Sequence, residues 1–153
     1  MPAVQSVEEN CLTGLELWGR IQSGAIPFSP YAAAAGLGIT ELEDGRAVIE
    51  ATPGAAHMNQ VGMVHGGWVA TVMDVALGVA AQTGMPAGER AITIEMKVNL
   101  TRAITPGSTV RATAEVVHGG RRTVVVEGRL LDPQGRVAAI ALGTFAVVEV
   151  PTS

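Results

Sequence analysis

Residues Trp68 to Ala81, WVATVMDVALGVAA, carry a single charge, Asp74. Apolar side chains recur all round this run rather than along one stripe, the pattern of a helix enclosed by protein. Fourteen residues at about 1.5 Å each make a rod of roughly 21 Å, too short to span a bilayer. The rest of the chain must therefore supply an apolar wrapping for this rod.

Asp74 is the anomaly in it. Its helical neighbours would be Ala70, Thr71, Leu77 and Gly78, none of them a cation. An ionised carboxylate buried without a partner costs several kcal/mol. Either Asp74 lies on a thin solvated edge of the helix, or it sits in a cleft as a general base or nucleophile.

His65-Gly66-Gly67 opens the same helix. The first N–H groups of a helix lack internal partners and lie at its partly positive end. That end suits an oxyanion or a polarised carbonyl, and glycine lets a ligand approach the main chain. Alone, a Gly-Gly pair is an ordinary turn; beside Asn59, His65 and Asp74 it acquires a chemical context. Yet Gly66 and Asp74 are eight residues apart, about 12 Å along the axis. Groups acting on one carbonyl must converge within about 3 Å of the reacting atoms. Two antiparallel copies of the helix about a twofold axis bring Gly66 of one chain to Asp74 of another. A homodimer with two shared sites is the expectation.

Composition narrows the rest. The chain has 153 residues, one domain by length, with 48% hydrophobic and 16% charged residues. So little charge for a small surface again points to an oligomer. The net charge is −4, with a basic balance only in the C-terminal part, beyond residue 96. This argues against non-specific nucleic-acid binding but leaves a place for a nucleotide phosphate. One cysteine, Cys11, excludes an internal disulfide, and His57, His65 and His118 lack metal-motif spacing. No metal is expected. The N-terminus lacks a signal-peptide pattern and no apolar run reaches 18 residues, so a cytoplasmic protein without a membrane span is expected.

In chain order, residues 7–23 show helical spacing and read as one lid or packing helix, followed by an irregular linker at 24–35. Ser29, Pro30 and Tyr31 either border a pocket or simply connect. Residues 37–43 and 46–52 flank Asp44-Gly45, a hairpin signal. Residues 55–67 form the loop bearing His57, Asn59 and His65. Residues 91–101 alternate, with Ile92, Ile94, Met96, Val98 and Leu100 on one face. Strands at 109–118, 121–131 and 136–149 follow, separated by Gly- and Pro-rich turns. Short turns make sequential strands antiparallel. The expected architecture is α+β, a curved antiparallel sheet wrapped round one helix.

The constellation Asn59, His65-Gly66-Gly67 and Asp74, with AITIEMKVNLTRAITPG and the later turn HGGRRT, resembles the hotdog-fold acyl-CoA thioesterases. The resemblance is to the branch of PaaI-like and Arthrobacter-type 4-hydroxybenzoyl-CoA enzymes, and covers residues 35–150. It implies a hotdog thioesterase domain at 35–153, with 1–34 a helix and linker of the same domain. It implies Asp74 as catalytic carboxylate and Gly66 as the backbone donor to the thioester carbonyl. His65 would shape that loop, Asn59 would lie near the thioester or attacking water, and Thr93 would hold water beside the carboxylate. Arthrobacter-type members have Glu at the Asp74 position and threonine at the Gly78 position, so PaaI-like members are the nearer pattern. Coenzyme A would arrive as part of the substrate, with no separate cofactor. A homodimer, in many members a dimer of dimers, is implied.

Gly67, Arg102, Arg121 and Arg122 are candidates for holding the CoA portion, since guanidinium groups match phosphate geometry. As isolated residues the three arginines are equally ordinary turn arginines. Ala32 to Ala35, Met58, Met63 and Met73 either line an acyl pocket or fill the core. The competing class is a non-catalytic acyl-CoA-binding module or regulator on the same fold, which has no need of a carboxylate in the cleft. A hotdog hydratase would want a histidine with an acid partner over the acyl chain, and His65 sits instead at the Gly-Gly loop.

Overall fold

The computed structural model describes residues 6–153. Residues 1–5, the start of the N-terminal segment, lie outside the described residues. The enclosed rod is helix α4, Gly66–Thr83, two residues longer at each end than the apolar run. Trp68, Val69, Val72, Met73, Ala76, Leu77, Val79, Ala80 and Ala81 are buried along it. One stripe stays more open: Gly67, Thr71, Asp74, Gly78 and Gln82, spaced three or four apart. The rod is thus wrapped on all but a narrow side, and Asp74 lies on that side.

The wrapping is a six-stranded sheet of β1 (Leu37–Glu43), β2 (Arg46–Ala51), β3 (Glu89–Leu100), β4 (Val110–Gly119), β5 (Thr123–Leu131) and β6 (Val137–Glu149). Every pairing is antiparallel, in the order β1-β2-β4-β5-β6-β3. This is the hotdog fold. Asp44-Gly45 turns the first hairpin, with Gly45 at φ +72°, where glycine has no steric penalty.

The helix lies close to the sheet because the strands beneath it present glycine. A Cβ at Gly128 on β5 would stand 2.9 Å from Met73 Cε and 3.0 Å from Leu77 Cδ2. At Gly143 on β6 it would meet Leu77 Cδ1 at 3.2 Å. Ala112, Ala114, Ala139 and Ala141, all buried, keep the same surface shallow. Burying each large α4 side chain contributes about 1.5–3 kcal/mol.

Several expectations need correction. Residues 7–23 form two helices, α1 (Val7–Asn10) and α2 (Gly14–Gln22). Thr13 and Glu16 form a capping box, in which each side chain accepts from the other's main-chain N–H, and this restarts the helix. The 24–35 linker contains a third helix, α3 (Pro30–Ala34), begun by a Ser29 cap and Pro30. Further, β3 does not pair with the next strand. It lies at the edge beside β6, and residues 101–109 carry the chain across to β4 beside β2. Buried Ile104 anchors that crossing.

The alternation in β3 also breaks. A bulge between Thr93 and Glu95 shifts the register. Ile92 and Ile94 are 52% and 58% exposed, while Met96 and Val98 pack on the core. The single apolar face expected for this strand is therefore divided in two. Opposite the helix, the sheet surface carries ion pairs of Arg46 and Arg111 with Glu41, Glu43, Glu50 and Glu115.

Candidate active site

The approach to α4 is a closed loop. Met58 and Val64 pair as an antiparallel bridge. Asn59 N donates to Met63 O and His65 N donates to His57 O, both at 2.8 Å. The Asn59 side-chain oxygen accepts from Val61 N (3.1 Å) and Met63 N (3.0 Å), so it shapes the loop from inside. Its amide NH₂ is left as the outward-acting group.

His65 is the N-cap of α4. Its Nδ1 accepts from Gly67 N at 2.9 Å. A Cβ at Gly67 would lie 3.1 Å from that nitrogen, so glycine lets the ring lie over the helix start. Gly67 N–H is thereby occupied. Gly66 N–H has no hydrogen-bond partner among the described residues, and it is the donor this helix end offers.

Asp74 is half-buried, one turn beyond Thr71 on the open stripe. Its Oδ1 accepts from Thr93 Oγ1 at 3.1 Å. No basic side chain pairs with it among the described residues. The β3 bulge follows Thr93 directly and is the kind of irregularity that re-aims a side chain. Of the expected site residues, the structure joins Asp74 with Thr93, and His65 with Gly66 and Gly67. It leaves the two groups at separate stations on one rod, about 12 Å apart by helical rise.

Two cavities flank the His65–Gly67 turn. One, of about 440 Å³, is bounded by α3, the 3-10 turn Ala55–His57 and α4, and its lining includes His65, Gly67 and Thr71. The other, of about 320 Å³, includes Gly66, Met63, Leu100 and Arg102. Arg102 Nε is 3.9 Å from Asp132 Oδ2, a loose pairing. Asn59 lines neither cavity. Arg121 and Arg122 also lie outside both, exposed on the β4–β5 turn. Their neighbour Thr123 pairs with Ala146, which pairs with Ile92. They therefore belong to the Asp74–Thr93 end of the sheet, whereas Arg102 follows Leu100 at the Gly66 end.

The first cavity contains what the sequence left undecided. Tyr31 borders it together with Ala34, Ala35 and Met58, and Met63 lines the second; Ala32 and Met73 are core. Thr71, which the sequence presents only as a helical neighbour of Asp74, lines the first cavity too. A Ser-Pro start followed by Tyr-Ala-Ala-Ala is a helix signal that would have placed Tyr31 on an element. His57 is a strut: its Nδ1 accepts from Gly54 N (2.9 Å), and Nε2 lies 3.1 Å from Ala34 O. His118 is exposed at a β4 bulge and lines neither cavity.

An antiparallel sheet folded on one long helix, with a glycine turn at the helix start and a lone carboxylate at its middle, has the form of a hotdog thioester hydrolase. Residues 61–139 match the family model of the thioesterase superfamily. The acyl-coenzyme A thioesterase PaaI of Escherichia coli is 31% identical over 113 residues, 73% of this chain and 78% of that protein. A conserved Pseudomonas aeruginosa protein of solved structure is 35% identical, with TM-score 0.74, covering 79% of this chain and 95% of its own. A hypothetical thioesterase from Streptococcus pneumoniae, solved with coenzyme A, is 25% identical, with TM-score 0.71, over 77% of this chain and 91% of its own. The chain belongs to the thioesterase superfamily and is a hydrolase of that class.

Proposed function

We propose that the protein is a PaaI-like acyl-CoA thioesterase acting on an aromatic or medium-chain acyl-CoA, with Asp74 as its catalytic carboxylate. One observation carries this reading. Among the described residues no cation pairs with Asp74, which lies on the more open stripe of α4, held by Thr93 Oγ1 at 3.1 Å. The relative from Escherichia coli is named for this activity, and the Streptococcus pneumoniae relative was solved with coenzyme A. Asp74 and Gly78, in place of the glutamate and threonine of Arthrobacter-type enzymes, favour the PaaI-like branch.

The site is shared between two chains. Gly66 N–H of one protomer polarises the thioester carbonyl, and Asp74 of the other faces the same carbon. Asp74 either attacks that carbon or takes a proton from a water that does. In the water route, the new C–O bond places negative charge on the carbonyl oxygen at Gly66 N–H. Collapse breaks the C–S bond, and the pair of electrons leaves with CoA thiolate, which needs no strong acid. The Asn59 amide and Thr93 position the water. The same antiparallel twofold arrangement brings Arg102 of one protomer toward Arg121 and Arg122 of the other, a basic edge for the CoA phosphates.

Acyl-CoA incubation with a thiol reagent tests the activity. Thiol should appear, and Asp74→Asn should fold normally while losing at least about 100-fold in rate, the usual worth of an acid–base group. Binding without thiol release would instead identify a non-catalytic acyl-CoA module.

A further inference from the structure

Tyr31 is 68% exposed, yet its hydroxyl is not loose. It lies 2.8 Å from Thr71 Oγ1. Thr71 itself donates to Gly67 O at 3.1 Å, so the tyrosine is the donor of the pair. The phenol side chain therefore spans from α3 to α4 along the rim of the 440 Å³ cavity, which both residues line. An exposed tyrosine tied to a helix on the far side of a cavity is a strap across it.

The wall bearing that strap is fixed. Trp68 Nε1 donates to Ala35 O at 2.8 Å, buried. His57 Nδ1 accepts from Gly54 N–H, which leaves the proton on Nε2, facing Ala34 O. The His57 and Trp68 rings stack with centroids 5.9 Å apart. The last carbonyls of α3 are thus pinned to the loop and to α4, while Tyr31 ties its first turn. Three tethers hold a five-residue helix that could not persist alone. Ala34, Ala35, Met58 and the Trp68 ring make the interior largely apolar, with no arginine or lysine lining it, whereas the cavity on the other flank of the Gly66 turn holds Arg102.

We infer that this cavity takes the acyl group, and that the Tyr31 strap, closed on Thr71, limits the size of the acyl group admitted. The inference rests on the acyl-CoA thioesterase reading and adds a specificity-determining residue to it. The thioester at Gly66 would point its acyl end toward Trp68 and its CoA end toward Arg102. Compact acyl groups fit beneath the closed strap; long chains require it to open.

The test is a profile of kcat/KM against acyl length, from acetyl to palmitoyl together with benzoyl and phenylacetyl, for wild type, Tyr31→Ala and Thr71→Ala. Removing the strap should raise the long-to-compact ratio at least tenfold in Tyr31→Ala, through KM for the long chains. Thr71→Ala, which keeps the ring but unties it, should move the ratio the same way by less. An unchanged ratio in both variants overturns the inference, as does an equal loss on all substrates. Wild type sets the distinction from the underlying reading. If it releases no thiol from any acyl-CoA, the thioesterase proposal itself fails. If it does so in an Asp74-dependent manner while the profiles coincide, only the strap fails.

Discussion

Thr93, on an edge strand, places its hydroxyl 3.1 Å from Oδ1 of Asp74, in the middle of the helix that the sheet encloses. The bond orients the carboxylate without neutralising it, since a hydroxyl donor leaves its charge intact. Thr93→Val should therefore lower kcat by roughly 10- to 100-fold, the worth of a hydrogen bond to a charged group, with KM little changed. Thr93→Ser should retain most of the rate. Steady-state kinetics on one good acyl-CoA substrate distinguish these outcomes, and a purely structural threonine would leave kcat intact in both variants.

His65 holds the start of α4 through Gly67 N. His65→Ala removes that cap and should cost about 1 kcal/mol of stability. It also frees Gly67 N–H to compete with Gly66 for the carbonyl, so turnover should fall as well. Urea midpoints and kcat measured on the same preparation should both move.

At Gly128 the side chains of α4 rest directly on β5. An alanine there would press on Met73 Cε, on Leu77 Cδ2 and on Thr113 O at 3.2 Å. Two of these are flexible side-chain ends and one is main chain. Gly128→Ala should destabilise by about 1–3 kcal/mol, the usual cost of overpacking, as read from chemical denaturation.

Part of the acid sensitivity should lie in Asp132, along with Glu16 and Glu41, whose carboxyls are also held below the ordinary range. Burial disfavours its ionised form. The Arg136 N–H, the Arg136 guanidinium and the Gln134 N–H outweigh burial and hold its carboxyl below the ordinary range. A carboxylate depressed in the folded state stabilises above its unfolded value, and that contribution is lost as pH falls through the folded value. Asp132→Asn should lower stability at neutral pH and flatten its decline on acidification. An acid limb as steep as that of wild type would contradict this assignment.

The sequence carried the helix and the hairpin turns because both are written locally. Asp74 stood out for want of a cation within one turn, and Asp44-Gly45 marks the place of its turn, though with positive φ only at Gly45. Strand neighbours are different. Alternation in β3 announces a strand but not its partner, so its place beside β6 was illegible. The bulge after Thr93 was hidden for the same reason, since one inserted residue leaves an alternating pattern looking intact. The Thr13-Glu16 capping box was legible but was masked by helical spacing on both sides. Tyr31, Thr71, His57 and Trp68 converge from three segments, and their cavity exists only once α3 is pinned to α4.

In the proposed dimer each site draws Gly66 from one chain and Asp74 from another. Gly66 is the first residue of α4, and His65 before it is extended, at φ −67° and ψ 134°. Proline is tolerated at that position and removes the N–H; its Cβ would meet only Leu100 Cδ1, at 3.0 Å, the far end of a flexible side chain. Gly66→Pro and Asp74→Asn should each be nearly inactive, the first by about 100- to 1000-fold. Refolded together in equal amounts, they form mixed dimers in which one of the two sites is intact. Activity should then return to roughly a quarter of wild type. A mixture as inactive as its two components would place Gly66 and Asp74 in one chain's site and contradict the account.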